Sequence, residues 1–234
     1  MFVDHASGEL DRRPELEKVL ERLRPPDSAP LPVRCGRGWS GRLRGVDSSA
    51  VKAFFERVSV DWDEMRSSFY NEGVIDALAD RAEVGPDSRV LDVGTGTGFI
   101  AAGLAPRARH VVGVDSSAAM LAVAARNAAT LSLGNVALVE GGLDALPLAD
   151  DSVDAAVANM VLHHAPDPAG MLTEMTRVVR PGGIVAVTDE VEHSYEWMRT
   201  EQADLWLGFS APDVQAFFDR SRLAEYGYAS LGMQ

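Results

Sequence analysis

The spacing of apolar positions changes along this chain. Over residues 14–24, Leu16, Val19, Leu20 and Leu23 recur at helical intervals with charges on the other faces, which predicts a short helix. Pro25 and Pro26 end it, because proline removes a helical donor and restricts the residue before it. Residues 27–47, rich in Pro, Gly, Ser and Arg, read as a flexible loop, so residues 1–50 form an N-terminal extension. Helical spacing returns with Ala53, Phe54 and Val58, then Trp62, Met65 and Phe69, then Val74, Ile75, Leu78 and Ala79, until Gly85 and Pro86 stop it.

A second rhythm follows. Short apolar runs at 89–93, 110–114, 136–139, 155–158 and 184–188 alternate with helical patterns at 99–104, 118–130 and 169–179. Strands apolar on both faces and separated by helices predict an α/β fold, a doubly wound, mostly parallel sheet with helices on both faces. Residues 195–207 read as a further helix, Ser210 caps another over 213–222, and 225–231 read as a last strand. Residues 51–234 thus form one domain, with helices over 51–82 ahead of its core. An unpaired sheet edge favours a homodimer.

Charge and cysteine content narrow the function. The net charge of −13 is uneven: residues 1–50 carry nine Lys/Arg against eight Asp/Glu, so the remainder holds −14. An acidic body repels phosphate backbones, which argues against DNA or RNA as partners and for a small-molecule substrate. The single cysteine, Cys35, rules out an intrachain disulfide and a thiolate metal cluster within one chain. No secretory pattern and no membrane-length apolar run is visible, so a cytoplasmic protein is expected.

The segment VLDVGTGTG, residues 90–98, joins a predicted strand to a helix, where doubly wound sheets bind ligands. A dinucleotide fingerprint, Gly-x-Gly-x-x-Gly, would require glycine at 99, where Phe99 stands. Gly94, Gly96 and Gly98 alternate instead, with Thr95 between them, a turn better suited to an amino-acid tail and a ribose than to a pyrophosphate. Asp92 and the exposed amides face the amino-acid end. Asp115, after the second strand, is within reach of vicinal ribose hydroxyls, although it also reads as an N-cap for the helix near Ala118.

The stretches VLDVGTGTG, VVGVDSSAAML, LPLADDSVDAAVANMVLHH and EMTRVVRPGGIVAVTD resemble class I S-adenosylmethionine-dependent methyltransferases with a Rossmann-like fold. The similar group includes the small-molecule enzymes of ubiquinone and menaquinone biosynthesis. The resemblance implies S-adenosyl-L-methionine as cofactor, with Gly94, Gly96 and Gly98 at the methionine portion and Asp115 on the ribose. It also implies Ser116 and Met120 flanking adenine and ribose, Asn159 beside the sulfonium, and a helical lid to which Tyr70 belongs. The family motif G-D-A-x-x-L-P meets a departure: Gly142 stands where an Asp accepts the adenine amino group, leaving the Leu143 backbone and Asp144 for that task.

Methyl transfer from a sulfonium needs alignment, and a base only where the acceptor starts protonated. His163 and His164 follow the fourth strand and Asp189 ends the fifth; a neutral imidazole oriented by a carboxylate suits a hydroxyl acceptor. Some sugar O-methyltransferases, which the chain resembles, use His and Asp at matching positions. Glu190, Glu192 and His193 crowd the same loop, where such groups can bind substrate or a metal; solvated charge is the preferred reading, and no metal is expected. Residues 55–65 and 196–210 are also similar to methyltransferase domains found with arsenic-resistance regulators. Arsenic methylation needs several thiolates, against the single Cys35. A non-catalytic cofactor-binding protein is the remaining alternative.

Overall fold

The computed structural model describes residues 48–67, 69–221 and 223–231. The expected helix over 14–24, the loop over 27–47 and Cys35 lie outside the described residues. Three helices lead in: α1 (Ser48–Val58), α2 (Trp62–Arg66) and α3 (Gly73–Arg81). The core follows as β1 (Arg89–Val93), α4 (Phe99–Leu104), β2 (His110–Asp115), α5 (Ala118–Thr130), β3 (Val136–Glu140) and β4 (Val153–Asn159). A 3-10 turn at Leu162–His164 then leads to α6 (Pro168–Val178), β5 (Val179–Thr188), α7 (Trp197–Glu201) and α8 (Ala211–Arg220).

The five strands form one sheet in the order β3-β2-β1-β4-β5, with every pairing parallel. The chain builds outward from β1 to β3, then crosses back to lay β4 on the other side of β1. Two apolar layers result, one on each face. One joins Val58, Val74, Leu78, Ile100 and Leu104; the other joins Leu91, Leu162, Leu172, Met175 and Phe217. The direction of the crossover helices reverses between β1 and β4, which opens a crevice at the carboxyl ends of those strands.

Two local predictions differ from the structure. The helix expected over 195–207 is only Trp197–Glu201, because residues 203–206 are captured by tertiary bonds. Leu205 N and Trp206 N each donate to His163 O at 3.1 Å, and Arg199 Nη1 donates to Leu205 O at 2.6 Å. The last expected strand over 225–231 is irregular, apart from a bridge residue at Ser230. Among the described residues no helix is long and apolar enough to cross a membrane.

Candidate active site

The glycine turn sits in the crevice. Gly94 and Gly98 have φ of 67° and 83°, in the left-handed region that L side chains avoid. A Cβ on Gly94 would stand 2.5 Å from Val161 Cγ2, so a side chain there displaces the β4 exit. Asp92 anchors the turn from inside: its Oδ2 accepts from Thr95 Oγ1 at 2.6 Å and from Ala101 N at 3.1 Å. Burial pushes its carboxyl from 3.8 to about 7, against the lowering effect of these two bonds.

Asp115 ends β2 with its carboxylate on the crevice. Oδ2 accepts from Gly96 N at 2.9 Å and Oδ1 from Ser117 N at 2.8 Å. Capping of α5 falls to Ser117, whose hydroxyl accepts from Met120 N at 3.2 Å. Asp115 therefore ties the glycine turn to the start of α5 and keeps lone pairs for a ligand. Burial raises its carboxyl, and the amides of Ser117 and Gly96 oppose that.

The cavity over this turn encloses about 720 Å³, open solvent at its mouth included. Of the residues expected from sequence, Tyr70, Asp92, Gly94, Thr95, Gly96, Asp115, Ser116, Met120, Leu143, Asn159 and His164 line it. Gly98, Asp144, His163 and Asp189 do not. Gly142 pairs with Ala145 in a small antiparallel bridge; the turn between them sets Leu143 in the wall and leaves Asp144 exposed.

Helices α1 and α2 lie over the crevice, where Val51, Phe55 and Trp62 line the cavity. Phe55 packs edge-on against Trp62 (5.1 Å between centroids) and against His164 (4.9 Å). Asp63, which the sequence does not single out, latches α2 to the turn. Its Oδ1 accepts from Thr97 Oγ1 at 2.7 Å and from Arg66 Nε at 2.9 Å, while Asn127 Nδ2 donates to Thr97 O at 3.0 Å. Arg66 lies 3.6 Å over the Phe99 ring. Tyr70 is buried, which pushes its hydroxyl up, and it shares a hydrogen bond with Asn159. Asn159 Oδ1 in turn accepts from Thr188 Oγ1 at 2.7 Å.

The far end of the crevice is organised by Asp189, fully buried just after β5. Its Oδ2 accepts from Val161 N (3.2 Å) and Leu162 N (2.7 Å), and its Oδ1 from Glu190 N (2.8 Å). That same Oδ1 meets His163 Nδ1 at 2.7 Å. Asp189 thus fixes the 3-10 turn that carries both histidines, and the two rings divide the expected properties between them. His163 has the carboxylate partner. Burial lowers its pKa, but the charges of Asp189 and Asp204 outweigh that and hold it at about 10. His164 faces the cavity; burial and the His163 charge keep it well below 6.5, so it is neutral. Its Nδ1 bonds Ala203 O at 3.2 Å. Glu190, read from sequence as solvated charge, is instead 1% exposed, with Oε2 2.7 Å from His193 Nε2. Asp204, missed entirely, is fully buried beside both histidines. Its only sequence signal was an acid inside an apolar stretch.

Residues 91–187 match the family model described as a methyltransferase domain. Over 212 residues the chain is 38% identical to an arsenite methyltransferase of Halobacterium salinarum, covering 82% of this chain and 52% of that one. It is 34% identical over 146 residues to a ubiquinone biosynthesis O-methyltransferase of Hahella chejuensis, covering 60% of each. The chain therefore spans between about half and three fifths of these relatives' lengths. The crystal structure of YcgJ from Bacillus subtilis shares the fold with a TM-score of 0.59 and 26% identity, over 66% of this chain and 69% of that one.

Proposed function

For a chain whose residues 91–187 match a methyltransferase domain, we propose a class I S-adenosylmethionine-dependent enzyme that methylates a small-molecule acceptor. The observation that carries the reading is Asp115, whose carboxylate stands on the cavity and is bonded to the glycine turn through Gly96 N at 2.9 Å. The site fits the cofactor: the positive φ of Gly94 and the 2.5 Å approach a Cβ would make to Val161 leave backbone, not side chain, against the ligand.

S-adenosylmethionine supplies an activated methyl on a sulfonium, which needs no further activation. Asp115 would accept from the ribose hydroxyls, and Asp92 with the turn amides would hold the amino-acid tail. Met120 and Leu143 flank the base. Asn159, fixed by Thr188, and Tyr70 hold the methyl-bearing end, and the Phe55–Trp62 lid excludes water. His164, neutral and on the cavity wall, is placed to take the proton of a hydroxyl acceptor, whose oxygen the bound cofactor would methylate. Asp189 and His163 position the turn and act through it.

Arsenite is the second reading, favoured by a relative that covers 82% of this chain. Against it, Cys35 is the only thiol in the chain, where arsenic chemistry calls for several. The test is calorimetric titration with S-adenosylhomocysteine, then incubation with methyl-labelled cofactor and a panel of phenols, quinols and arsenite. Binding at one per chain with label on an organic acceptor is the expected result. Absence of cofactor binding overturns the reading and leaves a non-catalytic protein; label on arsenic alone overturns the organic acceptor.

A further inference from the structure

Methyl transfer leaves one buried group without a task. Asp204 is fully buried, and neither carboxylate oxygen has a hydrogen-bond partner. Burial raises its carboxyl well above the usual range, and the charged His163 ring opposes that; a buried carboxyl that accepts no hydrogen bond is still costly to hold. Its neighbours do not relieve it by hydrogen bonding. His163 Nε2 is 3.7 Å and His164 Nδ1 is 4.0 Å from its Oδ1, both beyond hydrogen-bond range. The three side chains nonetheless bring one ligand atom each within 4.8 Å of one another. With Trp62, Tyr70, Glu190 and Gln202 they line a small pocket of about 290 Å³, open solvent included, against about 720 Å³ for the cavity over the glycine turn.

We propose that His163, His164 and Asp204 bind one divalent transition-metal ion at the back of the acceptor site. Two donors that each sit ~2.1 Å from one ion are themselves roughly 3 to 4 Å apart. The two separations from Asp204, 3.7 and 4.0 Å, fall there, too long for a shared proton and within reach of a shared cation. The surrounding bonds match what such a centre requires. Asp189 takes the Nδ1–H of His163, the carboxylate–imidazole–metal order that orients a ligating ring and leaves Nε2 for the ion. Leu205 N and Trp206 N dock on His163 O, which fixes the segment carrying Asp204 to the turn carrying both histidines. Two imidazoles with one carboxylate suit zinc, cobalt or iron, rather than magnesium or calcium, which prefer oxygen throughout.

Loading releases the Nε2 proton of His163 to solvent. In the ion-free ring of His164, Nδ1–H points at Ala203 O; an ion on Nδ1 leaves the ring proton on Nε2 instead. A ring so loaded cannot accept a proton from the methyl acceptor, so ion occupancy and base action at His164 exclude one another. Only this last consequence rests on the function proposed above; the binding itself does not.

The full chain, stripped with a chelator and dialysed, is titrated with CoCl₂ and followed by visible d–d absorption and calorimetry. One Co²⁺ per chain with d–d bands, displaced by ZnCl₂, is the expected result. Asp204→Asn, which keeps shape and removes the charge, lowers Co²⁺ affinity at least tenfold while keeping a cooperative melt and unchanged S-adenosylhomocysteine affinity. His163→Gln carries the same expectation should Asp204→Asn not fold. Absence of a stoichiometric d–d spectrum overturns the proposal. So does affinity within threefold of wild type in both variants, or a thiolate charge-transfer band abolished by Cys35→Ser. Loss on Glu190→Gln or His193→Ala with His163→Gln unaffected overturns this choice of ligands.

Discussion

Asp92→Asn is the substitution whose effect the structure sizes most directly. The Asp92 side chain is 1% exposed, accepts from Thr95 Oγ1 and Ala101 N, and is pushed by burial from 3.8 to about 7. A carboxyl raised on folding binds its proton more tightly in the native state. Stability is therefore highest at low pH, falls as pH rises from about 4 to about 7, and is level above that. At ~1.4 kcal/mol per pH unit, the whole window is worth ~4 kcal/mol. Most of it separates pH 5 from pH 8, where the native group changes from protonated to charged. Asparagine does not titrate. Relative to wild type, Asp92→Asn therefore gains ~2–3 kcal/mol on going from pH 5 to pH 8, or roughly 5–10 °C in Tm for a chain of this size. Any cost of fitting the amide is the same at both pH values and cancels in the difference. Urea melts of the cofactor-free protein, followed by tryptophan fluorescence at the two pH values, measure it. A variant-minus-wild-type difference that does not change with pH refutes the argument from burial.

Asp115→Ala removes the acceptor of Gly96 N and Ser117 N together with the ribose contact. Calorimetry should show S-adenosylhomocysteine affinity falling roughly a hundredfold or more, from two charge-assisted bonds of ~1.5–3 kcal/mol each; a loss below threefold sinks the assignment. Gly94→Ala puts a Cβ 2.5 Å from Val161 Cγ2 at φ 67°, so cofactor binding is abolished. Adding Val161→Ala relieves the collision but leaves the ~1–2 kcal/mol backbone cost, so Tm recovers only in part. Asp63→Ala breaks the latch to Thr97 Oγ1. Amide exchange read by mass spectrometry then accelerates in α1 and α2 and is unchanged in β1 to β5; equal acceleration throughout would mean that Asp63 supports the whole domain rather than the lid.

The donor side of the site was legible because its determinants are local. β1, the glycine turn, α4, β2 and Asp115 follow one another in the chain, and each is marked by its own residue types: alternating glycines, a strand of valines, an acid at the strand end. The helices predicted over 99–104 and 118–130 have those bounds in the structure. The misses depend on distant partners. Arg177 clamps the loop that holds Leu143, donating to Leu146 O at 3.0 Å and Leu148 O at 2.9 Å, yet in sequence it is one more charge near a helix end. The helix expected over 195–207 fails for the same reason: its backbone donors find His163 O, some forty residues back in the chain, instead of their own turn. Periodicity carries no information about such a capture.

Two buried carboxylates show what that non-local packing does to chemistry. Asp92 and Asp204 are both out of water, and burial raises the pKa of each. Asp92 takes a hydroxyl and an amide on its Oδ2, both from its own strand-turn-helix unit, and changes state with its proton or with a cationic ligand. Asp204 has no donor on either oxygen; its nearest polar neighbours are rings from another element at 3.7 and 4.0 Å. The tertiary bonds that dock residues 203–206 hold it there against that cost. An apolar residue of similar volume would be as stable there or more so, so the packing of the segment alone does not account for an acid at this position. Among the described residues the charged His163 ring answers Asp204 across 3.7 Å without reaching hydrogen-bond distance, and the ion proposed above would take the place of that ring proton.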